Sequence, residues 1–210
     1  MKQIFLAIVL IIAFSCKNDK KEVVKPKVKE EVKKEVITKL EVPVFLSWGK
    51  QRVELKESEL NYGDEKGYVL SRASTSKSCF AHTQNIAVEY GSDYRASIIV
   101  KKENNSNFFG LRLSGTYPDR VDAVFDLKSG AVKGVKNGRD FENGDATIES
   151  LGDGWYKCSV KVTVAADSIR IIFGPTNDKT NINGWEGKIE NPRSVFIIPN
   201  SLSLEKTSFE

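Results

Sequence analysis

Leu151-Gly152-Asp153-Gly154-Trp155-Tyr156-Lys157-Cys158-Ser159-Val160-Lys161-Val162-Thr163-Val164 is the stretch that decides the fold. Glycines on both sides of Asp153 supply the positive φ that a tight turn needs, and the residues after them alternate in polarity as a half-buried strand does. Tyr156, Cys158, Val160, Val162 and Val164 form one face, and Trp155, Lys157, Ser159, Lys161 and Thr163 the other. The same period recurs outward in both directions. Strands are expected near Tyr68–Ser71, Cys79–Tyr90, Tyr94–Lys102, Phe108–Ser114, Ala123–Lys128, Ala131–Val135, Ala146–Leu151, Tyr156–Val164, Ile169–Phe173 and Ser194–Ile198. Inward sets are Tyr94, Ala96, Ile98 and Val100; Phe109, Leu111 and Leu113; and Ile169, Ile171 and Phe173. Helix signals are nearly absent, so the expected class is all-β with two packed antiparallel sheets.

The first sixteen residues read as a targeting signal. Lys2 gives a positive start, Ile4–Phe14 is apolar but too short to span a bilayer as a helix, and Ala13-Phe14-Ser15 leads into Cys16. This arrangement resembles a bacterial lipoprotein signal, which implies lipidation at Cys16 and anchorage to a membrane through acyl chains. Residues 17–43 are dominated by Lys, Glu and Val and read as a charged, disordered, flexible tether, reaching about 80 Å at roughly 3.3 Å per residue when extended. Val28, Val32, Val36 and Leu40 recur at a helical spacing, but one narrow valine stripe among so many charges makes a marginal helix. Lys17-Asn18-Asp19-Lys20-Lys21-Glu22 resembles the charged tag of surface-exported lipoproteins in polysaccharide-uptake systems, which implies a place on the outer membrane, facing the cell surface.

Charge excludes one class of partner. The chain carries a formal +4, but Lys2 and nine lysines of the tether account for ten of its 32 basic residues, and the tether holds six of its 28 acids. The globular part from Val44 to Glu210 is therefore neutral, with its basic residues scattered singly. A nucleic-acid partner is not expected.

Ala123-Val124-Phe125-Asp126-Leu127-Lys128-Ser129-Gly130 and the Gly152-Asp153-Gly154-Trp155-Tyr156 strand entry resemble the jelly-roll carbohydrate-binding-module-like domain of phage structural and bacterial polysaccharide-processing proteins. The resemblance implies a galactose-binding-like jelly-roll β-sandwich over residues 44–210. It also implies a polysaccharide or oligosaccharide as ligand and no catalysis. A fold shared this widely does not choose its ligand, so a structural or protein-interaction module in an envelope assembly is the alternative. A β-sandwich polysaccharide lyase is a further one.

Sugar recognition uses flat aromatic faces with planar polar groups beside them. The candidates are Trp185 between Gly184 and Gly187, Tyr117 beside Pro118, Arg112 with Phe108, and Arg139 beside Asp140. For Trp185 the readings are a ligand platform or a plug folded back on the domain, and for Trp155 a lid over the sheet's end or part of a ligand platform. Trp48 is expected to pack against the last strand.

Catalytic signals are weak. His82 is the single histidine, and it falls in an alternating run as a sheet residue would; no Ser-His-Asp set or zinc spacing is visible. Asp122 and Asp126 share a strand face roughly 13 Å apart, beyond the separation of about 5 to 9.5 Å that glycosidases use. Cys79 and Cys158 read as two buried thiols, with a disulfide as the alternative. No cofactor is expected; a structural calcium would have to draw on Asn61, Asp64 and Glu65.

Overall fold

The computed structural model describes residues 35–104 and 106–209. Over them run β1 (Glu35–Leu40), β2 (Gly49–Gln51), β3 (Val53–Tyr62), β4 (Glu65–Arg72), β5 (Phe80–His82), β6 (Ile86–Ala87) and β7 (Asp93–Lys102). There follow β8 (Phe108–Ser114), β9 (Arg120–Asp126), β10 (Ala131–Gly138), β11 (Glu142–Gly152), β12 (Trp155–Thr163), β13 (Ser168–Thr176) and β14 (Ser194–Phe209). Single 3-10 turns occupy Phe45–Ser47 and Ile182–Gly184, and no α-helix occurs among the described residues.

Two seven-stranded antiparallel sheets face each other as a jelly-roll sandwich. The first runs β11-β12-β7-β14-β4-β3, with β1 also on β14; the second runs β10-β9-β8-β13-β5-β2, with β6 also on β13. The decisive turn has positive φ at Gly152 (88°), Asp153 (50°) and Gly154 (78°), the twist that closes a two-residue hairpin. In the β9–β10 hairpin, Gly130 has φ 66° and Asp126 accepts hydrogen bonds from the Lys128 amide (2.8 Å) and the Ser129 hydroxyl (2.7 Å). Burial works against the Asp126 charge, but these hydrogen bonds outweigh it and hold the carboxyl below its ordinary range.

The inward faces fall where the alternation puts them. Ala96, Ile98, Val100, Phe109, Leu111, Leu113, Cys158, Val160, Val162, Ile171 and Phe173 are fully buried. Burial of each large apolar side chain contributes about 1.5–3 kcal/mol. Tyr94 is buried with them, its hydroxyl accepting from the Glu89 amide at 2.8 Å. Trp155 is the lid expected, buried on the other face against Tyr62 with Lys101 over its ring. Cys79 and Cys158 are unpaired buried thiols, and burial pushes the Cys158 pKa well up.

Three expectations need correction. First, the tether does not extend to residue 43: Glu35–Leu40 pairs with the last strand, from Glu35 opposite Phe209 to Leu40 opposite Leu204. The register of β14 breaks between Ile198 and Ser203, leaving an edge beside its second half that β1 fills. At the break the Ser201 hydroxyl accepts from the Ile99 amide (2.8 Å) and donates to the Ile198 carbonyl (2.6 Å), repairing the ladder. Val36 and Leu40 are thus strand residues; Val28, Val32 and the lipidation candidate Cys16 lie outside the described residues.

Second, the run Cys79–Tyr90 is two short strands: the Thr83 amide still donates to the Ile171 carbonyl at 3.0 Å, but the Ile171 amide donates to the Thr83 hydroxyl, at 3.0 Å, in place of its carbonyl. Third, the charge-rich β3 and short β2, not expected as strands, pair with β4 and β5. Trp48 packs edge-on against Phe173 of β13 at 5.0 Å.

Candidate functional site

The sequence candidates separate into two places. Trp185, Arg112 and Phe108 gather on the outer face of the second sheet. Outward residues there include Phe80, Phe108, Gly110, Val124 and Ile172, an apolar strip that water would face if nothing covered it. The β13–β14 connection covers it with Trp185, which is completely buried against Val124 and Ile172. Gly110 makes the space: a Cβ there would lie 2.2 Å from the indole. Trp185 is therefore the plug of the two readings, and its face is not offered to a ligand.

Charges lock the plug. Arg112 Nε donates to Asp122 at 2.6 Å, and its Nη2 donates to Glu186 at 2.9 Å. Asp122 is also 2.9 Å from Arg120 Nε, while Arg120 Nη2 donates to the Asn183 carbonyl at 2.6 Å. The Arg112 guanidinium lies over the Trp185 ring, 5.5 Å from its centre. Burial raises the Asp122 pKa, and the charges of Arg112 and Arg120 oppose that rise. Deeper in, Arg72 is buried and donates to the carbonyls of Pro175, Lys77, Glu186 and Gly187, so one guanidinium ties the end of β13 and the β4–β5 connection to the middle of the loop. Arg112 thus holds structure together rather than waiting for a sugar, and Phe108 packs beside the plug under the Lys133 ammonium.

The second place is one end of the sandwich, where the connections β6–β7, β8–β9, β10–β11 and β12–β13 meet. They are tied by backbone: Gly91 donates to Val164 (2.8 Å), Val164 to Ser92 (3.0 Å) and Val88 to Asp167 (3.0 Å). Buried Phe141 forms part of the floor, 3.3 Å from where a Cβ on Gly115 would lie. Over this floor run three cavities that share walls. The first, about 340 Å³, is lined by Asn85, Ser114, Thr116, Tyr117, Ser168 and Arg170. Thr116 and Ser168 also line the second, about 280 Å³, with Tyr90, Asp119 and Asp167. Tyr90 and Ala165 continue into the third, about 240 Å³, with Asp140 and Glu142.

Tyr90 and Tyr117 are 66% and 77% exposed, and they are the exposed large aromatics among the described residues. Both stand on this groove. Arg120 stacks on the Tyr117 ring at 5.2 Å, steadying it from the plug side. Arg139, at the β10–β11 tip with φ 45°, is exposed and pairs loosely with Asp140 at 3.7 Å, beside the third cavity. Tyr90, Asn85 and Arg170 are among the groove residues that the candidates omit. Tyr90 stands before a glycine turn as Tyr117 stands before a proline, a signal hidden by reading Cys79–Tyr90 as one strand.

His82 stands over Gly49 and beside Phe80, its Nδ1 2.9 Å from the Thr83 carbonyl. Around the proposed calcium ligands, Glu65 accepts from Asn200 at 2.8 Å, and no group of three His, Cys, Asp or Glu suited to a metal occurs among the described residues. No family model matches this chain, and no curated protein matches it.

Proposed function

We propose that this protein is a surface lipoprotein, held on the outer membrane by acylated Cys16, whose jelly-roll domain binds a polysaccharide without catalysis. One observation carries the reading: the two exposed aromatic rings share one polar groove. Exposed rings are expensive in water unless they meet a partner, and a groove of joined cavities suits successive units of a chain better than a single small molecule. Tyr90 and Tyr117 would stack on sugar C–H faces, with Asn85, Thr116 and Ser168 taking hydroxyls. The apolar run ending at Cys16 supports the anchor, through the acyl chains such signals direct.

The test is affinity electrophoresis in polysaccharide gels and a glycan array, with Tyr90→Ala and Tyr117→Ala. Each variant is expected to weaken binding about five- to tenfold, from roughly 1 kcal/mol per aromatic contact, while the melting temperature holds. Unchanged binding in both variants overturns the groove as the site. A second reading, a protein-interaction module of an envelope assembly, draws on Val44 and Leu46, which are 70% and 81% exposed two residues apart. Loss of a protein partner on Leu46→Ser, with glycan binding absent, would favour it.

A further inference from the structure

The groove changes sign along its length. At one end, Arg170 is the charged residue of the first cavity, and that cavity has no carboxylate in its wall. Toward Tyr90 the walls carry Asp119 and Asp167, then Asp140 and Glu142. Arg170 is half-buried, on the outward side of β13 opposite Ser114, and its side chain has no hydrogen bond or ion pair among the described residues. Arg112 and Arg120, the other arginines of this sheet's outer face, are tied to Asp122. A guanidinium that lines a groove without a counterion is open to one, and its planar fork matches a carboxylate or sulfate.

We propose that the groove takes an acidic glycan, with a carboxylate- or sulfate-bearing unit seated on Arg170 beside Tyr117. This rests on the glycan-binding reading and adds the charge class of the ligand. The acidic walls toward Tyr90 repel a second anionic unit at that end, so the favoured chain bears its charge at one end of the bound stretch or alternates acidic with neutral units. Asn85 and Ser168 flank the seat and supply neutral hydrogen bonds to the same unit.

The experiment measures binding of the full chain to an array of neutral polysaccharides, polyuronates and sulfated galactans. Titration calorimetry follows, with an oligosaccharide that alternates uronate and neutral units and its carboxyl-reduced counterpart. An acidic probe is expected to bind about tenfold or more tightly than the uncharged one, as one charge-assisted pair allows. Arg170→Gln should erase that preference, so that the variant binds the charged and the reduced oligosaccharide equally, while Arg170→Lys retains part of it. Preference for the alternating uronate probe identifies a carboxylate, and preference for the galactans a sulfate. Equal binding of charged and reduced probes overturns the acidic-ligand inference and leaves the glycan reading standing. Binding to nothing on the array overturns both.

Discussion

Replacing Trp185 by alanine is expected to cost about 3–5 kcal/mol of stability and lower the melting temperature by about 10 °C, as loss of a fully buried indole does. Nothing near it can collapse into the space. Gly110 and Gly174 form the strand backbone beneath the ring, and the loop above is pinned by Thr176 Oγ1 donating to the Trp185 carbonyl at 2.7 Å. Gly110→Ala attacks the same contact from the other side, since its Cβ would meet the ring at 2.2 Å and force the plug outward. Thermal denaturation followed by circular dichroism reads both. A Trp185→Ala protein with an unchanged melting temperature would mean that the ring stands free, as the ligand-platform reading of the sequence requires.

Arg112→Met is expected to cost a further large sum, about 3–5 kcal/mol, because it strands buried charge. Asp122 is fully buried and would keep Arg120 alone, while Glu186 would lose the cation that it pairs with. Arg112→Lys should recover little, since one ammonium cannot hold Asp122 through Nε and Glu186 through both terminal nitrogens at once. Chemical denaturation of Arg112→Met, Glu186→Gln and the double variant gives the coupling, expected at about 1–3 kcal/mol. A coupling near zero would show that the loop is held by Trp185 and the Arg72 carbonyl contacts alone.

The sandwich is legible in the sequence because period two is written wherever one face of a strand is buried. Phe108–Ser114 is read at its position for that reason, and Tyr156–Val164 within one residue of β12. The edge elements are not. β1 and β3 are rich in Lys and Glu because their side chains meet water on an outer edge, so composition makes them look like a tether or a loop. Their strand character comes from the backbone edges of β14 and β4, which no local pattern reports.

The site divides in the same way. Trp185 in a polar, glycine-flanked loop looks exposed, but the outward apolar residues Val124 and Ile172 on two neighbouring strands are the sign that something must cover them. That sign needs the pairing of β9, β8 and β13, which is tertiary information. Tyr117 is legible as a loop aromatic. Its partnership with Tyr90, 27 positions earlier, arises only when four connections meet at one end of the sandwich.

Amide hydrogen exchange of the full chain, with and without a saturating glycan ligand, tests the central claim most directly. Bound glycan should slow exchange in the connections carrying Tyr90, Thr116–Tyr117 and Ala165–Ser168, and leave the segment Ile182–Gly187 unchanged. Protection centred on Ile182–Gly187, with the end groove unaffected, would contradict the account and return the ligand to the Trp185 face.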